Sequence, residues 1–294
     1  MYIQGKRKKI KRIYAIVLFF LLVLILLLVG IYKNMDYFFP DVLENQSIEK
    51  PKEIHNKEIV NDKQDKPIKI DLSSGELYSH NAVLIRLNDH KVIYEKNSDQ
   101  KIFPASMTKI MTGFLAIEKI PDLQKEMTVP KSIFPELRAE NASVAGFSPG
   151  EKVPAIDLIY GTMLPSGGDA SKALAINIAG SESAFVKLMN KKAEELGMNH
   201  THFTNVSGLH DENHYSSVKD IATLLEYALK NDEFRQVFTT FRYSTKPSNA
   251  HPDGFTFYST LVSTKKTLDF DGGEILGGKT GYTDEAGLCL ASLA

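Results

Sequence analysis

Residues 101–119 read KIFPASMTKIMTGFLAIEK, and this stretch decides the fold. Pro104 stiffens the approach, and Met107–Lys119 is apolar at helical spacing, so the spacing predicts a helix there. Met111, Leu115 and Glu118 mark its successive turns. Ser106 and Lys109 then stand one turn apart on one face at the start of that helix. A lysine accepts a serine proton only when neutral, and burial beside other cations lowers its pKa toward that state. Backbone N–H groups at the helix N-terminus favour developing negative charge. The pair is therefore a candidate nucleophile and base, although S-x-x-K on its own is a common accident of helical surfaces.

Working outward, Asn81–Leu87 and Lys91–Glu95 read as two strands joined by the turn Asn88-Asp89-His90. Downstream, Ile156–Met163, Asp169–Ala179, Ser183–Leu196 and Val218–Leu229 carry helical patterns. Gly197 is a C-cap signal, and Ser216 or Ser217 an N-cap signal. Thr256–Val262, Ile275–Lys279 and Gly287–Ser292 read as extended. The order is strand pair, helical insertion, then more strands. It predicts an α/β (α+β) fold in which an antiparallel sheet is flanked by helices, with a helical lobe and a cleft between them.

Two more motifs stand at the ends of elements. Ser166-Gly167-Gly168 follows Pro165 at a loop-to-helix junction and can place a second hydroxyl beside Ser106 and Lys109. Lys279-Thr280-Gly281 ends an apolar strand. Its lysine and threonine suit a substrate carboxylate, and its glycine permits close approach to a strand edge. S-x-x-K, S-D-N and K-T-G in this order form the motif set of penicillin-binding proteins and class A β-lactamases.

From about His80 onward the chain resembles the low-molecular-mass penicillin-binding proteins, the serine D-Ala-D-Ala carboxypeptidases with a β-lactamase/transpeptidase-like fold. Phe103–Thr112 is similar to the segment around that family's nucleophile. Ser148-Pro149-Gly150-Glu151, Gly208-Leu209, His214-Tyr215-Ser216 with Asp220, and Gly278–Thr283 resemble further family segments. The resemblance implies that Ser106 attacks the carbonyl between two terminal D-alanines, Lys109 takes its proton, and Ser166 relays protons to the leaving amine. It implies that Lys279 and Thr280 hold the terminal carboxylate. Backbone N–H groups of Ser106 and Tyr282 form the oxyanion hole, and Gly168, Gly281 and Thr283 border the substrate. The implied partners are peptidoglycan stem peptides ending in D-Ala-D-Ala, with β-lactams as covalent inhibitors. No cofactor or metal is expected. The implied role is wall trimming or support of glycopeptide resistance.

The pattern departs from the family at two places. Gly168 stands where Asn is usual, which removes an amide from the site; Asp169 is the candidate substitute. The family also continues past the third motif with another strand and a C-terminal helix, so the chain, ending at Ala294, reads as C-terminally truncated. A catalytically weak or inactive penicillin-binding protein remains open, as does a β-lactamase or endopeptidase on the same fold.

Composition adds the setting. A formal net charge of -1 argues against nucleic acid as a partner. Cys289 is the single cysteine, so no intrachain disulfide forms. Residues 13–32 carry no charge over 20 positions and follow a basic segment at 1–12. That pattern predicts a transmembrane helix, a single-pass cell-membrane location with a cytoplasmic N-terminus, and an extracytoplasmic catalytic domain over 80–294. Residues 33–79 mix Lys with Asp and Glu, show no apolar period, and read as a stalk. His210-Asp211-Glu212-Asn213-His214 lacks the H-E-x-x-H spacing of a zinc site, and its histidines read as structural or exposed.

Overall fold

Helix α1, Thr108–Lys119, runs through the middle of the fold, and every residue from Thr108 to Ile117 is buried. A helix apolar on all sides needs partners all round. The partners of α1 are α3 (Ala155–Met163), α4 (Gly168–Ala179), α5 (Glu182–Glu195), α6 (Val218–Ala228) and α7 (Asp232–Phe238). Gly113 lets α3 come close, because a methyl there would stand 3.0 Å from the Met163 sulfur. The helix stops at Ile120, whose extended backbone precedes Pro121. The structure is a computed structural model that describes residues 77–264 and 268–294.

The remaining elements are β1 (Ala82–Arg86), β2 (Lys91–Lys96), a 3-10 turn Ala105–Met107, β3 (Glu126–Thr128), a 3-10 turn Lys131–Ile133, α2 (Phe134–Ala139), β4 (Lys152–Pro154), β5 (Arg242–Ser244), β6 (Thr256–Tyr258), α8 (Thr260–Thr264), β7 (Asp269–Phe270), β8 (Gly273–Glu274), β9 (Gly277–Thr283) and β10 (Gly287–Leu293). Phe185, Phe203, Phe234, Leu158, Leu174 and Met189 fill the core between the helices. Each such side chain contributes about 1.5–3 kcal/mol through burial. Local signals set the boundaries. Ser217 accepts the Asp220 N–H at 3.1 Å and starts α6, and Ser181 caps α5 in the same way through Ala184. Gly197 has φ +70° just past α5, where a left-handed residue ends a helix.

Several expectations need correction. The strands do not form one antiparallel sheet flanked by helices. Among the described residues they form five two-stranded antiparallel ladders: β1–β2, β3–β4, β5–β6, β7–β8 and β9–β10. Each strand pairs within its own ladder, and β9 turns instead against the 3-10 turn Ala105–Met107. The fold is thus mixed α/β with small antiparallel sheets around a helical core. Thr256–Val262 is extended only to Tyr258. There the Ser259 hydroxyl accepts the Leu261 N–H at 3.3 Å, and this local bond accompanies the helical turn α8 in place of a strand.

The membrane expectation is also corrected. Among the described residues no helix is long and apolar enough to cross a membrane. The longest, α5, has 14 residues, or about 21 Å at 1.5 Å per residue, against a hydrocarbon core of about 30 Å. The stretch 13–32 lies outside the described residues, as do the tail at 1–12 and the stalk up to residue 76. Nothing in the described residues supports the expected transmembrane helix, the single-pass location or the membrane as partner.

Candidate active site

Two backbone positions at the candidate site are strained. Ala105 has φ 46° and Ser166 has φ 65°, left-handed conformations that a non-glycine residue adopts at a cost of about 1 kcal/mol or more. The approach is pinned first, because Ile102 exchanges two backbone hydrogen bonds with Ser216, at 2.8 and 3.0 Å. Gly281 of β9 then lies against the turn, so that a methyl on it would stand 3.0 Å from the Ser106 nitrogen. Gly208, at φ +81°, also packs on the turn, and a methyl on it would stand 1.8 Å from the Ala105 carbonyl oxygen.

Lys109 Nζ donates to Ser106 Oγ at 3.0 Å and to the Ser207 carbonyl at 2.6 Å. Burial pushes the Lys109 pKa down to about 7, although the Asp169 carboxylate pulls it upward. Near neutral pH a large share of Lys109 is consequently the free amine. Lys279 is fully buried and donates to Ser166 Oγ at 3.0 Å and to the Thr280 carbonyl at 2.7 Å. Burial, and then the neighbouring Lys109, hold Lys279 well below its ordinary value. Two serine–lysine pairs thus stand side by side with their lysines in electrostatic contact. The Thr280 hydroxyl meets that of Thr260 at 2.6 Å.

A cleft of about 480 Å³ opens onto this centre. Ser106, Lys109, Gly168, Tyr282 and Thr283 line it. Ser166 and Lys279 are buried, and half-buried Thr280 precedes Gly281 and Tyr282 on β9. Its walls are Glu140–Ser143, Ser207–His210 and Tyr282–Glu285. The structure corrects one expectation about Asp169. Its carboxylate accepts the N–H groups of Ala145, Gly146, Phe147 and Ala170 at 2.7–3.1 Å, so it fixes the loop behind Ser143 and has no side-chain bond to Lys109. At Gly168 a side chain would meet Leu137 at 3.0 Å and the Ser143 carbonyl at 3.2 Å.

Sequence reasoning named Gly208 but missed the residues before it, Asn205–Ser207. Asn205 Oδ1 accepts from the N–H groups of Ser207 and Gly208 at 3.1 and 2.7 Å, which aims the Ser207 carbonyl at Lys109. An Asx turn beside Gly208 was the available signal. His214, read as structural or exposed, is buried. Its Nδ1 accepts the Thr204 N–H at 3.1 Å, so Nε2 carries the proton and donates to Thr108 Oγ1 at 2.8 Å. Burial pushes the His214 pKa down to about 4, so the folded state keeps it neutral. An unfolded histidine titrates near 6.5, and stability should fall as pH drops from about 6.5 to about 4, by up to ~3 kcal/mol. Urea unfolding across that window checks this, and His214→Gln should flatten the dependence.

A serine in the 3-10 turn that leads into α1, a partly neutral lysine hydrogen-bonded to it, and a strand edge beside them are the groups that serine acyl transfer requires. The chain belongs to the D-alanyl-D-alanine carboxypeptidase family, whose model matches residues 68–294. It is 38% identical over 213 residues to the D-alanyl-D-alanine carboxypeptidase DacF of Bacillus subtilis (strain 168), covering 72% of this chain and 53% of that protein. It is 34% identical over 226 residues to DacA of Escherichia coli (strain K12), again covering 53% of the relative. The chain thus spans about half the length of these curated relatives. The fold resembles the crystal structure of the Streptomyces K15 DD-transpeptidase, with a TM-score of 0.65 and 30% identity over 72% of this chain and 83% of that one.

Proposed function

We propose that this chain is a serine-type D-Ala-D-Ala carboxypeptidase that removes the terminal D-alanine from peptidoglycan stem peptides through an acyl-enzyme on Ser106. The observation that carries this reading is the 3.0 Å contact between Ser106 Oγ and Lys109 Nζ, with Lys109 lowered to about 7 at the foot of an open cleft. Neutral Lys109 takes the Ser106 proton as Oγ attacks the carbonyl between the two D-alanines. The N–H groups of Ser106 and Tyr282 receive the oxyanion. Ser166, bonded to Lys279, passes a proton to the leaving amine, and D-alanine departs. Lys279 and Thr280 meet the terminal carboxylate through hydrogen bonds, with Thr283 beside them, while Gly168 and Gly281 leave room for the peptide backbone. Water then hydrolyses the ester, and β-lactams acylate the same oxygen.

D-alanine release from a peptide ending in D-Ala-D-Ala tests the proposal. The chain should release it, and Ser106→Ala should reduce release at least about a thousandfold. Equal release from both would refute the acyl-enzyme route.

A further inference from the structure

Lys172 lies outside the cleft yet is tied to two of its walls. It sits in α4 one turn past Gly168, with its side chain only 3% exposed. Its ammonium meets Glu182 Oε2 at 2.8 Å and Glu136 Oε1 at 2.9 Å. Glu136 belongs to α2, which leads directly into the wall Glu140–Ser143. Glu182 opens α5, and its other oxygen, Oε1, accepts the Val206 N–H at 3.2 Å. Val206 is also held from the far side, where Thr112 Oγ1 donates to its carbonyl at 2.8 Å. The next carbonyl in the chain, that of Ser207, receives the Lys109 ammonium hydrogen at 2.6 Å.

We propose that Lys172 and Glu182 are positioning residues for the Ser106–Lys109 pair: their partly buried ion pair fixes the Ser207 carbonyl on Lys109 and, through Glu136, ties the facing wall to the same ammonium. The proposal rests on the acyl-enzyme reading of Ser106. An ion pair, partly exposed on its carboxylate side as here, is weak evidence for stability. What the pair supplies is direction, since a carboxylate held by Lys172 on one oxygen presents the other to Val206 at a fixed angle. A displacement of about 1 Å in such a support costs up to ~100-fold in rate. The charged and titratable groups facing Lys109 itself are Lys279 on β9, Asp169 on α4 and His214. Lys172 is not one of them, so its effect travels through position.

The test uses the full chain with Lys172→Met and Glu182→Gln. Fluorescent penicillin is reacted from pH 5.5 to 9, and each rate is normalised to titrated active sites. Lys172→Met should lower the limiting acylation rate about tenfold. Its pH midpoint should move down by roughly half a unit, because the ammonium loses a carbonyl acceptor that favours the charged form. Glu182→Gln keeps an oxygen for the Val206 N–H, so its effects should be smaller but of the same sign. A purely structural role would lower thermal stability and leave the normalised rate and midpoint at the unaltered values; that result overturns the proposal. If Lys172→Met does not fold, Glu182→Gln decides by the same criterion. An unaltered chain that is never acylated would sink the acyl-enzyme reading, and this proposal with it.

Discussion

Replacing Lys109 with Met is expected to slow Ser106 acylation by penicillin about a thousandfold, the scale of a lost general base. Met keeps the length and most of the volume of the lysine stem, so α1 stays packed and the loss reports chemistry. Folding stability should change little, because the change removes a buried amine whose charged form desolvation already disfavours. The pH profile supplies the sign. Only neutral Lys109 accepts the serine proton, and burial sets its pKa near 7, so acylation by the unaltered chain should climb as pH rises through about 7. Lys109→Met should lose that inflection. A profile that is flat through neutrality in the unaltered chain would remove Lys109 as the base.

Gly208→Ala is expected to destabilise the fold by about 4 kcal/mol or more, in the range of the most damaging substitutions. The added methyl would stand 1.8 Å from the Ala105 oxygen and 2.3 Å from its carbonyl carbon. Both are backbone atoms of the strained turn that carries Ser106, so no side-chain rotation relieves the overlap. Gly208 also has φ +81°, which penalises any Cβ. Molecules that do fold should have lost penicillin acylation, because relief requires Ser106 to move. Urea denaturation and labelled-penicillin binding read the two effects. A stable, fully acylated variant would show that the turn and the Asn205–Gly208 segment do not pack as described.

Most helices were legible because their signals are local. Ile156–Met163, Asp169–Ala179, Ser183–Leu196 and Val218–Leu229 each fall within a residue of the observed elements. The apolar period, Ser217 and Gly197 act within a few residues of the chain. Helix α7 was not read, although Asn231 accepts the Phe234 N–H as its cap and Phe234, Val237 and Phe238 are buried. With 7 residues it is too short to show a sustained period. The strands near the end were placed only in part: β9 begins two residues after the expected start and runs through Lys279-Thr280-Gly281 to Thr283. Strand pairing is a non-local event, and nothing in an isolated run tells which edge it meets.

The sequence by itself determined the Ser106–Lys109 pair, because three-residue spacing at the start of a helix brings the two side chains together, and the 3-10 turn that holds Ser106 keeps that spacing. It also determined the order of the three motifs and, through them, the family. Only the tertiary structure decided how that pair is poised. The partly neutral Lys109 follows from burial. The Ser207 carbonyl and the Ser166–Lys279 pair come from residues 98 and 113 positions apart, brought together by packing. Tertiary structure also assigned Asp169 to the loop at Ala145–Phe147 instead of to Lys109, because a buried carboxylate is satisfied by whichever N–H groups the fold aims at it. Desolvation and long-range hydrogen bonding depend on every element that closes over a side chain, and no window of sequence contains them.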